Sequence, residues 1–459
     1  MKTDTIAAIA TAMAGSGIGI VRISGEEAVS ITDQIFHMPG GKKLSDMETH
    51  TIHYGHIRDG EEVIDEVMVL LMRGPRSYTR EDTVEIDCHG GVYVMKRILE
   101  TVIKYGARPA EPGEFTKRAF LNGRIDLSQA ESVIDVISAK NEFALKSSMK
   151  QLSGAVSDAV KEIRGEILHE IAFIESALDD PEHISLDGYG ERLELTIEGA
   201  VDRIEKLLAS SDNGRILKEG ISIVIVGKPN AGKSSLLNTL LGEERAIVTE
   251  IAGTTRDVLE EQINLNGIIL NIIDTAGIRD TDDIVEKIGV DKARKYVKDA
   301  DLILYVVDAS TNLDENDGEI MELLHGRRTI VLLNKSDLTP LTTAEDIRAH
   351  VDKDCPVISI SAREQKGIDV FTEQIRKMFF RGEVTFNDEV YITNIRHKTA
   401  LQEALSSLHL VEQSIADGMP EDFYSIDLMN AYEVLGTIIG EAVEDDLVNE
   451  IFSKFCMGK

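Results

Sequence analysis

The chain has 459 residues, of which 42% are hydrophobic and 28% are charged, which is typical of a globular protein. The length exceeds what one hydrophobic core usually serves, so two or three domains are expected. A formal net charge of −32 excludes uniform binding of nucleic acid over the surface, so any nucleic-acid substrate would need a local basic patch or a second protein.

Residues 1–120 are predicted to form a mixed α/β domain. A glycine-rich turn leads into a short alternating strand, and further strands are predicted at 67–72 and 83–87. A helix with apolar residues at helical spacing begins after Gly91. The segment has no βαβ unit around its glycines, so it is not predicted to bind a nucleotide.

A polar cluster within this first segment has two interpretations. It comprises two glutamates, two aspartates and a histidine, the residue types of a metal site. Alternating strand positions with one solvated face explain the same pattern more simply, and we favour that interpretation. The residues are Glu81, Asp82, Glu85, Asp87 and His89.

From about Asp126 the pattern becomes helical, and 121–215 is predicted to be the first part of a helical domain. Apolar residues recur every three or four positions from Leu152 to Leu178, which predicts one long apolar stripe facing a paired helix or bundle. Pro181 ends this helix. After another helix, the segment 210–214 (Ser-Ser-Asp-Asn-Gly) is predicted to be a turn-rich linker.

Five short apolar runs then alternate with helical segments, as buried strands of a parallel sheet do. They predict a doubly wound nucleotide-binding domain over 216–380. The chain returns to helical patterning over 381–459, so we expect this domain to be inserted into the helical domain. The runs are 221–226, 268–273, 302–307, 329–333 and 357–360.

The run 227–234 (Gly-Lys-Pro-Asn-Ala-Gly-Lys-Ser) fits the G-x-x-x-x-G-K-S pattern of a phosphate-binding loop between a strand and a helix. Backbone N–H groups of such a loop surround phosphate oxygens, and Gly227 and Gly232 permit the close approach. Lys233 would lie along the β- and γ-phosphates, and Ser234 would ligate Mg²⁺. The loop therefore predicts a nucleoside triphosphate site.

Polar motifs follow three other strands of the predicted sheet. Asp337, in Asn-Lys-Ser-Asp at 334–337, can accept from both N1–H and N2–H₂ of guanine, a donor pair that adenine lacks. Residues 361–363 would support the base through their backbone, and 274–277 would place a carboxylate near Mg²⁺ and an N–H near the γ-phosphate. Four motifs in order at strand ends predict GTP binding.

The residue after this last motif is Ile278, where Ras-like proteins have the glutamine that orients the attacking water. An aliphatic side chain cannot hold water, so another group must do so. Asp280, Asp282, Asp283 and Glu286 follow closely, although most of them are expected to be solvated loop carboxylates. A bound monovalent cation could neutralise transition-state charge, and the Asn230 carbonyl could face it.

Six segments give the chain a resemblance to a known family. They include a Pro-Gly-Glu-Phe motif and a Cys-x-Gly-Lys tail, in which Met457 replaces the usual isoleucine or valine. On these segments the chain resembles the MnmE (TrmE) family of bacterial tRNA modification GTPases over essentially its whole length. The segments are 17–25, 112–122, 229–235, 253–257, 274–277 and 455–459.

The resemblance assigns further site residues by position. Thr255 joins Ser234 on Mg²⁺, K⁺ is held by Asn230, Thr249, Ile251 and Thr254, and Glu286 orients water. The N-terminal domain resembles the folate-binding domain of aminomethyltransferases, with Arg22, Glu85, Arg124 and Lys459 contacting 5-formyl-tetrahydrofolate; Arg124 stands where the family usually has lysine. Cys456 is predicted to take part in the tRNA chemistry. The predicted GTP contacts are Asn230, Ala231, Gly232, Lys233, Ser234, Ser235, Thr249, Glu250, Ile251, Ala252, Gly253, Thr254, Thr255, Asp274, Thr275, Ala276, Gly277, Asn334, Lys335, Asp337, Ser361, Ala362 and Arg363.

The family resemblance also implies an activity and partners. A homodimer would work with an FAD-binding partner, two copies of each protein forming a heterotetramer, to attach a carboxymethylaminomethyl or aminomethyl-type group at C5 of the wobble uridine (U34) of certain tRNAs. A 5-formyl- or methylene-tetrahydrofolate would supply one carbon, and the flavin would handle the redox step. GTP hydrolysis, driven by K⁺-dependent dimerisation of the nucleotide domains, would power a conformational cycle.

Compartment follows from the cysteines and from hydropathy. Cys88, Cys355 and Cys456 form no C-x-x-C pair and leave an odd thiol, which predicts neither a disulfide framework nor a zinc knuckle. No apolar run is long enough to span a bilayer, and the N-terminal residues lack the apolar core of a signal peptide. A cytoplasmic location without membrane contact is expected.

Two functions from other classes are compared with this one. A ribosome-assembly GTPase would be a switch without modification chemistry, but it would carry a basic RNA-binding appendage, which the acidic composition does not suit. A folate-dependent aminomethyltransferase with a regulatory nucleotide domain would differ in needing no flavin. Flavin dependence in a reconstituted assay separates it from the family's activity.

Overall fold

The computed structural model describes residues 4–243, 261–265, 267–273, 300–380, 392–441, 445–455 and 458. The chain divides into two compact units. The first unit consists of 1–137, 149–202 and 399–459, and the second of 138–148 and 203–398. In the part of the chain that is described, no helix is long and apolar enough to cross a membrane.

The first unit begins with a seven-stranded sheet in the order β3-β4-β5-β6-β2-β1-β7. All pairs are antiparallel except β1 with β7. The strands predicted at 67–72 and 83–87 and the helix after Gly91 are confirmed. The strands are β1 (Ile6–Ile9), β2 (Ile18–Ser24), β3 (Phe36–His37), β4 (Thr51–Asp59), β5 (Glu62–Met72), β6 (Thr83–His89) and β7 (Arg108–Pro109), and the helices are α1 (Ala28–Ile35), α2 (Val92–Lys104) and α3 (Glu114–Leu121), with one 3₁₀ turn at Leu44–Asp46.

One face of this sheet is covered by α1 and α2. The alternation along β5 is clear, because Val67, Val69 and Leu71 are buried while Met68 is exposed. Buried residues of α1 and α2, such as Ile31 and Met95, complete the same core. The opposite face of the β4–β5 hairpin stays partly apolar and exposed.

Four helices follow, and the longest carries the predicted stripe except at its two ends, because Leu152 lies in the preceding helix and Leu178 is 49% exposed. Val156, Val160, Ile163, Ile167 and further residues at this spacing are buried in one row. The helix ends at Asp179, directly before the Asp-Pro pair at 180–181, as the sequence predicts. The helices are α4 (Leu127–Ser138), α5 (Glu142–Leu152), α6 (Ala155–Asp179) and α7 (Tyr189–Ala209).

The turn-rich linker predicted at 210–214 is wrong, because α8 (Ser211–Glu219) occupies this segment. Gly214, a turn signal in the sequence, is a buried helical residue instead. A Cβ atom built on it would lie 2.3 Å from the carbonyl oxygen of Ile392, so glycine is needed for a close backbone approach. A contact 178 residues distant along the chain therefore overrides the local turn propensity.

The second unit contains a six-stranded sheet in the order β13-β12-β11-β8-β10-β9. All five predicted runs are strands, and their pairings are parallel. The polar segment β9 pairs with β10 in an antiparallel hairpin that hydropathy did not predict. The elements are β8 (Ile221–Val226), β9 (Glu261–Leu265), β10 (Ile268–Ile272), β11 (Leu302–Asp308), β12 (Thr329–Asn334) and β13 (Val357–Ser359), with α9 (Lys233–Glu243), α10 (Glu315–Leu324), α11 (Ala344–Arg348) and α12 (Ile368–Phe380).

The chain ends in three helices of the first unit, α13 (Ile395–Ala416), α14 (Glu421–Ile439) and α15 (Asp445–Ser453). Helix α14 is the partner of α6: the buried Arg164 stacks over the Tyr432 ring at 4.0 Å and pairs with Glu441. Phe452 and Phe455 are buried, so the C-terminal region is docked as predicted. The predicted fold class, a mixed α/β domain with helical and P-loop nucleotide-binding domains, is confirmed.

Gly214→Ala is expected to lower the free energy of unfolding by about 2 kcal/mol, because the added methyl group overlaps the Ile392 carbonyl. The matched control is Gly199→Ala in α7, where no atom lies within 4 Å of the added Cβ. That change should stabilise the protein by about 0.5–1 kcal/mol through helix propensity. Denaturant unfolding of both variants measures the difference, and equal effects would contradict the assigned contact.

Candidate functional site

The phosphate-binding loop connects the end of β8 to the start of α9. Gly227 has φ +152°, and a Cβ atom on it would lie 2.3 Å from the Val306 carbonyl oxygen. Gly232 has φ +100°, and its Cβ would lie 2.0 Å from Nδ2 of Asn334. Both positions therefore require glycine, as predicted. Asn230, at the exposed tip, adopts φ +64°.

Lys233 begins α9, and its ammonium group turns back into the loop. The Nζ atom donates to the carbonyl oxygens of Gly227 and Lys228, each at 2.8 Å. Burial lowers the pKa of Lys233 from its ordinary value. Ser234 follows in the first turn of the same helix. Phosphate oxygens in the loop would offer the ammonium a charged partner in place of neutral carbonyls.

A buried ion pair behind the loop was missed in the sequence, where Lys228 is only a variable position of the motif. Its Nζ lies 2.6 Å from Oδ2 of Asp317 and 2.9 Å from Oδ2 of Asp314. The Asp317 side chain is 2% exposed and also accepts from the Tyr305 hydroxyl at 2.8 Å. Burial disfavours the Lys228 ammonium, but these carboxylates outweigh it and raise its pKa. The pair anchors the loop to α10.

The guanine motif is tied to the phosphate loop through Asn334, the last residue of β12. Its Nδ2 donates to the Ala231 carbonyl at 2.9 Å, and its Oδ1 accepts from the Ala362 N–H at 3.0 Å. The Thr239 hydroxyl of α9 donates to the Ala362 carbonyl at 2.7 Å. Three loops at the carboxyl edge of the sheet thus share one hydrogen-bonded frame.

Asp337 and Ser361 meet at this edge, as the base-recognition hypothesis requires. The Ser361 hydroxyl donates to Oδ1 of Asp337 at 2.6 Å. This bond holds the pKa of Asp337 below its ordinary value, so the carboxyl group is ionised at neutral pH. Arg363 adds a weaker electrostatic contribution in the same direction. An ionised carboxylate accepts from two N–H donors, which suits guanine.

Lys335 has an anionic partner that the sequence did not indicate. Its Nζ lies 2.5 Å from Oδ2 of Asp308, at the end of β11. The other oxygen of Asp308 accepts from the Ser310 N–H at 2.9 Å and from its hydroxyl at 2.6 Å. Burial alone would raise the pKa of Asp308, but the Lys335 and Ser310 hydrogen bonds outweigh it and hold it low. Lys335, which has φ +64°, is therefore held firmly in its place within the guanine motif at 334–337.

Several predicted site residues lie outside the described residues. They are the segment 249–255 with its predicted Mg²⁺ and K⁺ ligands, the segment 274–277, the predicted water-orienting carboxylate and most of the C-terminal tail. Their assignments stay predictions. The residues are Thr249, Glu250, Ile251, Ala252, Gly253, Thr254, Thr255, Asp274, Thr275, Ala276, Gly277, Glu286, Cys456 and Lys459.

In the first unit, Arg22 and Glu85 pair across β2 and β6, with Nε and Oε1 2.6 Å apart. Nη1 of Arg22 donates to the carbonyl oxygen of Gly458 at 2.9 Å. Gly458 has φ +93°, and a Cβ atom on it would lie 2.5 Å from the Ile9 carbonyl oxygen. The tail of the same chain therefore reaches the predicted folate residues, a point that the sequence left open.

Tyr78 joins this second cluster and was missed in the sequence. Its ring centroid lies 4.7 Å from Cζ of Arg124 and 5.7 Å from Cζ of Arg22. Its hydroxyl shares a hydrogen bond with the Thr116 hydroxyl at 2.9 Å. The Phe115 ring lies 5.6 Å from Arg22. The Tyr78 ring therefore brings Arg22 and Arg124 together. In the sequence, the only signal for a role of the loop that contains Tyr78 is the pair of arginines on either side of it.

The polar cluster of the first segment separates into unrelated contacts. Glu81 pairs with Arg118 at 3.0 Å, and Asp82 accepts from the Gly74 N–H at 2.9 Å. His89 contacts Asp65 at 2.7 Å. Over the described ranges, no group of three or more His, Cys, Asp or Glu side chains is arranged to hold a metal ion.

Comparisons with known proteins cover the whole chain. A family model described as "MnmE helical domain" matches residues 127–456, and one described as "GTP-binding protein TrmE N-terminus" matches residues 5–124. "tRNA modification GTPase MnmE" of Lachnoclostridium phytofermentans is 61% identical over 460 residues, 100% of both chains. The Bacillus subtilis protein of that name is 47% identical, covering 99% of this chain and 100% of its own length. That of Clostridioides difficile is 50% identical over 99% of each.

Asp337→Asn is expected to weaken GTP binding at least about a hundredfold and to strengthen binding of xanthosine triphosphate, because an amide donates where the carboxylate only accepted. Competition titrations with both nucleotides measure the exchange. The control is Asp354→Asn, an exposed aspartate of the same unit that should leave both affinities unchanged. Unaltered GTP binding by the Asp337→Asn protein would remove Asp337 from the base site.

Proposed function

Since the chain belongs to the family of tRNA modification GTPase MnmE and is a GTPase that acts in tRNA modification, we propose that its GTP cycle serves the addition of an aminomethyl or carboxymethylaminomethyl group at C5 of the wobble uridine, U34. The GTP-binding part of this proposal rests on one observation. Asn334 bonds the phosphate loop at Ala231 and the neighbouring loop at Ala362, where Ser361 holds the ionised Asp337. Because tRNA is the substrate, we assign the activity to the cytoplasm.

Separate groups of nucleotide-binding residues are assigned to the phosphates, the base and the metal ion. The loop N–H groups and Lys233 bind the phosphates, and Asp337 selects guanine. The Ser234 hydroxyl in the first turn of α9 is a hard oxygen ligand of the kind that Mg²⁺ prefers, so Ser234 and Thr255 would hold this ion. Mg²⁺ would neutralise part of the negative charge of the phosphates.

Hydrolysis is assigned to a K⁺-stabilised pair of nucleotide domains. Ile278 cannot orient water, so Glu286 is assigned that role. The exposed Asn230, with its left-handed backbone at the tip of the loop, supports a cation site that forms against a second copy of the chain. Asn230, Thr249, Ile251 and Thr254 would hold K⁺, which would supply positive charge near the transferring phosphoryl group.

The one-carbon site is assigned to the first unit. Arg22 and Arg124 would bind the anionic glutamate portion of a 5-formyl- or methylene-tetrahydrofolate together with Lys459, and Glu85 orients Arg22. The contact between Arg22 and the Gly458 carbonyl supports this assignment, because it places Gly458 beside the folate residues. Cys456 would then lie near the reacting carbon.

The partners are a second copy of the chain and an FAD-binding protein, two of each in the complex. An exposed apolar face on the β4–β5 hairpin supports self-association: Ile52, Tyr54 and Met68 are 63%, 50% and 46% exposed, and Tyr54 lies opposite Met68 in the register. The flavin of the partner would supply the redox chemistry.

Turnover of GTP is expected to be much faster in K⁺ than in Na⁺, because fixed carbonyl ligands select the ion by size. Glu286→Ala should retain nucleotide affinity and lose about a hundredfold in kcat, since water orientation acts mainly in the transition state. Steady-state hydrolysis in matched chloride salts, with Asp282→Ala as the control, measures both effects. Equal rates in the two salts would contradict the cation site.

Cys456→Ser is expected to abolish U34 modification while GTP hydrolysis stays normal, because serine is the poorer nucleophile of the same size. Modification is measured with the complete complex, GTP, folate and flavin partner, by mass analysis of the tRNA nucleosides. The control is Cys355→Ser, a half-buried thiol of the second unit, which should modify tRNA normally. Normal modification by the Cys456→Ser protein would make Cys456 a packing residue.

A further inference from the structure

A chain with a net charge of −32 must concentrate any cations that it offers to RNA, and one surface does so. It consists of the loop 73–82, between β5 and β6, and the turn 121–124 that follows α3. We call it the arginine loop surface. Arg76, Arg80 and Arg124 are exposed on it.

The two carboxylates of this surface, Glu81 and Asp82, each pair with another arginine. Glu81 is paired with the buried Arg118 at 3.0 Å, and Asp82 lies 3.7 Å from Arg73. In contrast, Arg76, Arg80 and Arg124 have no carboxylate partner among the residues that the structure describes. Their charges are therefore available to an external anion.

Loop and turn are joined into one element by hydrogen bonds in both directions. Nη1 of Arg80 donates to the Asn122 carbonyl at 2.9 Å, and Nδ2 of Asn122 donates to the Thr79 carbonyl at 2.7 Å. Tyr78 connects the element to Arg22 through the stacking of Arg22 and Arg124 on its ring. Arg80 and Arg124 thus lie at the edge of the proposed one-carbon site.

Arg80 shows a second feature that points to a ligand. It has φ +62°, a backbone conformation that glycine adopts without strain and that arginine rarely adopts. Among the described residues, its side chain hydrogen-bonds only a backbone carbonyl, a contact that several shorter side chains could make. A strained position that keeps a long cationic side chain indicates that the guanidinium has a use outside the fold.

We propose that the arginine loop surface binds the phosphate backbone of the tRNA anticodon loop, so that the wobble uridine enters the site beside Tyr78 and Arg22. Guanidinium groups bind phosphates in bidentate geometry and stack on bases, and RNA recognition combines such cations with aromatic rings. Arg76 and Arg80 bind phosphates, while Arg124 is shared between RNA and the folate site. This inference rests on the proposed function and names the docking surface for its substrate.

The test uses the full chain and an anticodon stem-loop RNA with unmodified U34. Arg76→Ala combined with Arg80→Gly is expected to weaken binding about tenfold at 0.1 M salt and to reduce the slope of log Kd against log salt by about 1.4, the value for two lost phosphate contacts in a single strand. The matched control, Arg348→Ala with Lys353→Ala, removes the same charge from exposed positions of the second unit. It should leave Kd and slope unchanged.

Arg80→Gly alone separates binding from stability. The thermal midpoint should stay nearly unchanged, because relief of the left-handed strain offsets loss of the hydrogen bond to Asn122, while RNA affinity should fall severalfold. A purely structural Arg80 predicts the reverse: a lower midpoint with unchanged affinity. GTP hydrolysis should be normal in every variant.

The complete complex with the flavin partner gives the final comparison. There the double variant should raise KM for tRNA and leave kcat nearly unchanged. If the unaltered complex does not modify U34, the proposed function fails. If it does, and the variants bind and react as well as the unaltered chain, the arginine loop surface alone is overturned.

Discussion

The side-chain amide of Asn334 uses both of its ends, and the nucleotide site depends on that bridge. One end holds the phosphate loop at Ala231 and the other holds Ala362. The amide also occupies the volume that a side chain at Gly232 would need, which fixes the glycine. Since Ala362 is bound to α9 through Thr239, phosphate, base and helix positions cannot shift independently. Preorganisation of this kind spares the ordering cost when GTP binds.

In the first unit a guanidinium performs a comparable task. Arg22 contacts Glu85 on the neighbouring strand, the Gly458 carbonyl of the tail and the faces of two aromatic rings. The planar fork of arginine makes these hydrogen bonds in fixed directions while its face stacks on the rings, which the compact point charge of a lysine ammonium does not combine. The sheet, the C-terminus and the loop with Tyr78 therefore converge on one side chain. An acidic protein can keep a cationic site in this way without a generally basic surface.

Local patterns predicted what is decided locally. The apolar runs gave the parallel strands, the spacing from Val156 onward gave α6, and the glycines of the phosphate loop stand where their φ values require them. The missed features depend on distant partners. Gly214 is helical because of Ile392, and β9 is a strand because it pairs with β10 despite its polar residues.

The same reason explains the missed site residues. Position 228 is variable in the loop motif, and only the three-dimensional structure shows that Lys228 forms an ion pair with Asp317. Tyr78 and Asp308 lie in segments without a motif, and they join their sites through side-chain contacts across the sheet edge or between loops. The spacing of residues along the chain does not predict such contacts. The motif residues themselves, such as Asp337 and Ser361, could be placed because strand ends of a parallel sheet meet at one edge.

The buried pair of Lys228 and Asp317 limits how this loop can evolve. Replacing Lys228 alone leaves the buried Asp317 carboxylate without this cation, at a cost of about 3–5 kcal/mol, which is a large share of a domain's stability, whereas replacing Asp317 alone leaves Lys228 with Asp314. Replacing both with apolar residues of similar volume would cost far less. The two positions, 89 residues apart, are therefore expected to change together across descendants of this sequence or not at all. The phosphate-binding loop is therefore expected to be inherited together with α10, a helix that contacts the loop and is assigned no contact with the phosphates.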